Sequence, residues 1–95
     1  MKIALLFYHS VYDDEIRALL DRLGCMRYVE IPQAWALDGA ERRFGTHIYP
    51  GTDAIILAFL DDACTENLVS TIREFRVGRQ KEHTHLAVIP VEMVV

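Results

Sequence analysis

The sequence predicts an α+β fold in which two helices cover one face of a four-stranded antiparallel sheet. Short apolar runs are typical of buried strands, and segments with apolar residues at helical spacing separate them. The resulting order is strand, helix, strand, strand, helix, strand, which is the ferredoxin-like βαββαβ arrangement. A chain of 95 residues has material for one core, so we expect a single domain over residues 1–95.

The first half of the chain contains a strand, a helix and an edge strand. The run KIALLFY (Lys2–Tyr8) is apolar on both faces, as a central strand would be. Ser10 and Asp13 have the spacing of a capping box at the start of the first helix, and Gly24 supplies its end. The second strand, CMRYVEI (Cys25–Ile31), precedes a proline and therefore lies at a sheet edge.

The second half repeats this pattern after a long connection. Residues 32–52 are predicted to form a loop, and loops of this length in compact domains are usually functional. The run DAIILAFL (Asp53–Leu60) is the third strand, and Asp61 and Asp62 begin the second helix. The last strand is HLAVIPVEMVV (His85–Val95), in which Pro90 marks a bulge or the end of pairing.

Composition excludes several classes of protein. A net charge of −4 disfavours sequence-independent binding to nucleic acid, which requires clustered cations. No apolar run reaches the ~18 residues that span a bilayer, so we expect no membrane insertion. No cleavage site follows the apolar N-terminus, which favours a cytoplasmic protein. There, Cys25 and Cys64, which have no zinc-site or redox spacing, are expected to be reduced and buried thiols.

The apolar strands predict self-association. Three of the four strands are apolar on both faces, yet two helices on one side of a sheet cover only one face. The other face would expose more contiguous apolar surface than monomers tolerate. We therefore expect a homo-oligomer that covers the open face of the sheet.

Two segments combine cations with glycine and are candidates for binding a small anion. Arginine forks match phosphate and carboxylate oxygens, and glycine lets backbone N–H groups approach closely. Taken separately, each segment can equally be a solvated loop. The candidate ligand groups are Arg42, Arg43, Gly45 and Thr46 in the first segment, and Gly78, Arg79 and Lys81 in the second.

The histidines suggest an alternative metal site. His83 and His85 alternate by two and would project from the same face of an extended chain, with His47 as a further candidate ligand. The simpler interpretation is that they are solvent-facing residues. No nucleophile motif such as G-x-S-x-G is present and no two acids form a tuned pair, so the chain is not expected to be an enzyme.

Two motifs resemble the small PII-like proteins of the PII and CutA superfamily. The stretch FGTHIYPGTDAIILAFLDD, Phe44–Asp62, contains Gly45, Thr46, Pro50 and Gly51 in the G-[ST]-x-x-x-P-G pattern that leads into the family's third strand. The ending LAVIPVE, Leu86–Glu92, is similar to the family's final strand. With the order of strands and helices, the resemblance covers nearly the whole chain.

The resemblance implies a cytoplasmic regulatory protein. It implies a homotrimer with sheets facing inward, an adenine nucleotide or another anionic effector in clefts between subunits, and a regulated protein partner. Gln33–Thr52 would correspond to the family's signalling loop and Val77–His85 to its phosphate loop, although that loop is glycine-rich and here contains only Gly78. The CutA branch implies the alternative, a metal-responsive protein that binds a divalent metal ion through His83 and His85, with His47 or Cys25 as a further ligand.

Overall fold

The computed structural model describes residues 1–24, 27–38, 41–43, 52–77 and 84–95. Two helices pack on one face of an antiparallel sheet with the strand order β2-β5-β1-β6, so the predicted ferredoxin-like α+β fold is confirmed. The elements are β1 (Lys2–His9), a 3-10 turn (Ser10–Tyr12), α1 (Asp13–Leu23), β2 (Tyr28–Ala34), β3 (Ala36–Asp38), β4 (Glu41–Arg43), β5 (Asp53–Leu60), α2 (Asp62–Arg76) and β6 (Thr84–Pro90).

The core lies between the sheet and the helices. Every second residue of the central strands β1 and β5 faces this layer, because side chains alternate across a strand. The inner stripes of α1 and α2 cover them. The core residues are Ala4, Leu6, Tyr8, Ile16, Leu19, Leu20, Ala54, Ile56, Ala58, Leu60, Leu68, Ile72 and Phe75.

The helices begin and end at residues whose chemistry explains the boundary. Asp61 accepts a hydrogen bond from the Cys64 N–H at 2.7 Å and so caps α2, as the sequence indicated. Gly24 has a φ of 72° after α1, a left-handed conformation that glycine adopts without steric cost. The predicted capping box is wrong, because Tyr12 precedes α1 without a side-chain cap and Ser10 begins the 3-10 turn.

The long connection contains structure that the sequence did not predict. Ala36–Asp38 and Glu41–Arg43 pair as a two-stranded antiparallel sheet, with Ala36 opposite Arg43 and Leu37 opposite Arg42. β2 also begins and ends about three residues later than predicted and shifts register between Ile31 and Ala34. Proline at this edge strand interrupts the regular ladder, which accounts for the irregular end.

Cys64 is disulfide-bonded, so the expectation that both cysteines are reduced is wrong in this structure. The chain has two cysteines in all, and Cys25 lies outside the described residues. Sequence spacing could not reveal the bond, because a pairing depends on which elements the fold brings together.

Candidate functional site

One face of the sheet carries neither of the two helices that the structure describes, as the apolar strands indicated. We call it the open face, and it consists of Ile3, Leu5, Phe7, Val29, Ile31, Ile55, Leu57, Phe59, His85, Ala87 and Ile89. Val29 is 65% exposed, Phe59 51% and Ile89 46%. A depression of about 620 Å³ over Ile3, Leu57 and Phe59 adds concave apolar surface. An apolar area of this extent is typical of a surface that another protein chain covers.

The connections that carry the candidate ligand groups join the sheet at one end, which we call the loop end. β1 ends at His9, β2 ends at Ala34, β5 begins at Asp53 and β6 begins at Thr84. Strands lie about 4.8 Å apart, so β6 is about 10 Å from β5 across the width of β1. Within one protomer, the connection from β2 to β5 therefore joins the sheet on one side of β1, and the connection from α2 to β6 joins it on the other side.

Polar groups at the loop end connect the residue before β5 to the end of β1. Ser10 donates its backbone N–H to the Thr52 carbonyl at 2.8 Å, and the two hydroxyl groups are 2.9 Å apart. The His9 Nδ1 accepts the Val11 N–H at 3.2 Å, which places the proton of a neutral ring on Nε2. The Ser10 hydroxyl also donates to the Pro32 carbonyl at 3.4 Å, so this cluster joins the ends of β1 and β2 to the start of β5.

A second cluster of polar side chains, which we call the ion network, holds α1 in place after the loop end. The Tyr8 hydroxyl donates to Asp13 Oδ1 at 2.5 Å. Arg17 donates to both oxygens of Glu30 at 2.9 and 2.8 Å and lies 2.8 Å from Asp13 Oδ2. The network joins β1, α1 and β2 and thereby holds the beginning of α1 against the edge of the sheet.

Tyr8 is fully buried, and its burial and then its hydrogen bond to Asp13 raise the pKa of the phenol well above its ordinary range. Replacing Tyr8 by phenylalanine leaves the half-buried Asp13 carboxylate without this donor. We expect a loss of about 1–2 kcal/mol in the free energy of unfolding. Urea unfolding at one protein concentration measures it, with Tyr12→Phe as the control. Equal losses in both variants would contradict a specific role of the Tyr8 hydroxyl.

Glu30 predicts an acid dependence of stability. Its hydrogen bonds from Arg17 lower the pKa of the carboxyl below the ordinary value of 4.5. The folded state therefore favours the ionised form, and this stabilisation is present above about pH 4.5 and disappears as the pH falls through the folded-state value. Glu30→Gln should flatten the decline of the urea midpoint between about pH 6 and about pH 3. Glu66→Gln, which removes an exposed carboxylate from α2, should leave that decline intact.

The structure describes three of the ten predicted site residues. Arg42 and Arg43 lie on β4, and His85 lies on β6 with its ring 5.1 Å from that of Phe7. In the part of the chain that the structure describes, no three His, Cys, Asp or Glu residues converge as metal ligands. The remaining predicted residues, Gly45, Thr46, His47, Gly78, Arg79, Lys81 and His83, lie outside the described residues.

Sequence reasoning missed the polar groups that the fold assembles. Ser10 and Thr52 are 42 residues apart, and Arg17 and Glu30 are 13 apart. Neither pair has a motif, because each contact depends on strand register and on where α1 crosses the sheet. His9 likewise has no sequence motif, and in the structure its ring accepts the Val11 N–H.

The fold is shared with solved structures of a PII-like protein. Structures of CPII, a nitrogen regulatory PII-like protein from Thiomonas intermedia K12, superpose on this chain with TM-scores of 0.74 and 0.71. Identity is 15%, and the alignments cover 92–93% of this chain and 81–88% of CPII. A further CPII structure gives a TM-score of 0.66 at 18% identity, over 93% of this chain and 82% of CPII.

Those CPII structures contain ADP, AMP and bicarbonate, or ADP, AMP and acetate. No protein-family model and no curated protein sequence matches the chain. At this level of identity the similarity establishes the shared fold. In the described residues, no helix is long and apolar enough to cross a membrane.

Proposed function

We propose that the protein is a PII-like regulatory protein, a homotrimer that binds a small anionic effector or adenine nucleotide between its subunits. The observation that carries the proposal is the open face, whose apolar side chains require a covering chain. Three copies that pack these faces inward would cover all three sheets with a heterologous contact that closes on itself. The helices and the ion network would then form the outer surface.

Assembly also explains why the candidate ligand groups are divided between two connections. Within one protomer, β1 separates the connection after β2 from the connection before β6. Packing of open faces would bring the loop ends of neighbouring copies side by side, and the proposed site combines Arg42 and Arg43 of one copy with Arg79 and Lys81 of the next. Convergent cations next to glycine form a site for phosphate or carboxylate oxygens. His9, Ser10 and Thr52 lie at the same end, where their hydrogen bonds hold the strand ends in place.

The ligand classes follow from this chemistry and from the bound molecules of CPII. An adenine nucleotide offers phosphate oxygens to the cations, and bicarbonate is a small planar oxyanion that an arginine fork can also bind. We propose that the bound effector alters the connection at 33–52, and that this segment contacts a regulated protein in the cytoplasm. The role is regulatory rather than enzymatic.

Calorimetric titration tests the effector directly. We expect saturable heat with ADP or AMP, and an additional change when bicarbonate is present. Replacing both Arg42 and Arg43 by alanine should weaken nucleotide binding about a hundredfold or more, because charge-assisted hydrogen bonds contribute about 1.5–3 kcal/mol each.

The matched control is Arg22→Ala, which removes an exposed arginine from α1 and should bind as the unaltered protein does. Absence of heat with ADP, AMP and bicarbonate would refute effector binding. Unchanged affinity in the double arginine variant would refute the assigned residues while leaving the class of ligand intact.

A further inference from the structure

The segment that follows β6, residues 91–95, is mostly apolar and exposed, and we call it the tail. Its sequence is VEMVV. The Val91 N–H donates to the Met1 carbonyl at 3.2 Å, so the tail begins as a continuation of the β1–β6 ladder. The chain then bends at Glu92. Met93 is 79% exposed and Val94 is 55% exposed, so beyond the bend their own protomer leaves these apolar side chains largely uncovered.

The depression of the open face has a matching character at the same end of the sheet. Its apolar lining includes Ile3, Val29, Leu57 and Phe59. These residues lie toward the end of the sheet opposite the loop end, where β1 and β2 begin and β5 ends. The tail leaves β6 at this end too, because the last residue of β6 pairs with the first residue of β1.

Arg27 gives the depression a positive rim. It precedes β2 by one residue and lines the depression beside Val29. Glu92 places a negative charge at the bend of the tail. Both residues are exposed, and within the described part of the chain neither forms a salt bridge. The tail and the depression are therefore complementary in polarity and in charge.

The proposed trimer would bring the tail of one copy to the depression of the next. Its loop ends would lie side by side, so the sheets of all three copies would run in the same sense along the three-fold axis. In such a heterologous ring, one edge of each sheet lies beside the opposite edge of its neighbour. The β6 edge of one copy would then adjoin the β2 edge of the next, at the level where the tail leaves β6 and β2 begins.

The length of the tail fits this span. An extended chain rises about 3.3 Å per residue, so the five residues of the tail reach about 16 Å. Neighbouring strands lie about 4.8 Å apart, so passing β2 and reaching β5 of the adjoining copy requires about 10 Å. The tail is therefore long enough to lie across the depression of the next copy.

We propose that the tail of each copy crosses to the next copy of the trimer, where its apolar side chains fill the depression and Glu92 forms an ion pair with Arg27. Met93 and Val95 project to the same side of an extended segment and would face the depression. The inference rests on the proposed trimer and adds the segment that one copy contributes to the next. Because the tail leaves one edge of the sheet and is received at the other, the contact also fixes the direction of packing around the ring.

Reversal of the paired charges tests the proposal by sedimentation equilibrium. Arg27→Glu and Glu92→Lys should each raise the protein concentration at which half of the trimer dissociates about tenfold, because each replaces an attraction by a repulsion in all three contacts. The double variant Arg27→Glu/Glu92→Lys restores an opposite pair and should return toward the unaltered protein. Arg22→Glu on α1 and Glu66→Lys on α2 are matched controls and should leave the trimer intact.

Cysteine cross-linking shows which copy receives the tail. The variant Arg27→Cys/Glu92→Cys, oxidised and run on a denaturing gel without reductant, should give covalent trimers, whereas each single cysteine variant should not. A product that runs as one chain with an internal bridge would overturn the proposal, because the tail would then cover the depression of its own copy.

Two further outcomes separate this inference from the proposed assembly. A stable trimer in which the single charge reversals change nothing, or in which the double variant is no better than the single ones, would overturn the tail exchange and leave the trimer standing. A monomeric unaltered protein would overturn both.

Discussion

Replacing Phe59 by glutamate should convert the assembled protein into a monomer. Phe59 lies on the open face, on β5, and is 51% exposed in the isolated chain. In the proposed assembly each copy would bury this ring, with a contribution of about 1.5–3 kcal/mol. A carboxylate at the same position would be buried without a partner, which costs several kcal/mol more. Each of the three copies contributes this unfavourable free energy of assembly, so the trimer should dissociate at micromolar concentration.

Sedimentation velocity measures the outcome. Ala63→Glu is the matched control, because it introduces the same charge at an exposed position in the first turn of α2, where the helix dipole favours an acid. We expect the control to remain a trimer. A Phe59→Glu variant that sediments as the unaltered protein does would show that the open face is not the assembly surface.

Truncating Leu6 should have the largest effect on folding. Leu6 lies on the central strand β1, faces the helices and is 1% exposed. Leu6→Ala should lower the free energy of unfolding by about 2–5 kcal/mol, since the tightly packed layer cannot close the cavity. Leu5 is its neighbour in the chain but lies on the open face, so it provides a control with the same chemistry.

Both leucine variants are best compared in the Phe59→Glu background, where assembly does not contribute to stability. There, Leu5→Ala should cost about 1 kcal/mol or less. Urea unfolding gives both values. If Leu5→Ala costs as much as Leu6→Ala in that background, the assignment of buried and open faces is wrong.

The parts of the fold that the sequence predicted best are the ones set by continuous apolar runs. β5 spans the predicted residues Asp53–Leu60, and β1 extends the predicted strand by one residue to His9. In both strands the side chains toward the helices belong to the core and those on the other side belong to the open face. The apolar run is therefore continuous along each strand. Two helices on one face then follow from right-handed crossovers.

The features that the sequence did not predict depend on contacts between distant segments. Arg17 binds Glu30 because α1 crosses β2, and neither residue has a neighbour in sequence that signals this. The β3–β4 pair is three residues long in each strand, too short for a periodic pattern. The bond of Cys64 likewise depends on tertiary proximity.

The candidate anion site stays a prediction, because most of its residues lie outside the described residues. The arginines beside glycine and the resemblance to PII-like proteins indicated an anion site near the long connection. The contacts of His9, Ser10 and Thr52 at the loop end were not predicted, because they follow from the register in which Ser10 pairs with Thr52. That register is fixed by the whole β1–β5 ladder and not by local sequence.

Native mass spectrometry in the presence of ADP tests the central proposal most directly, because it reports subunit number and bound nucleotide in one spectrum. Three protomers of 10.9 kDa give a trimer of about 33 kDa. We expect this trimer to take up as many as one ADP per subunit, and Phe59→Glu to abolish both the trimer and the nucleotide adducts. A monomer, or a trimer without nucleotide at any ADP concentration, would contradict the proposed function.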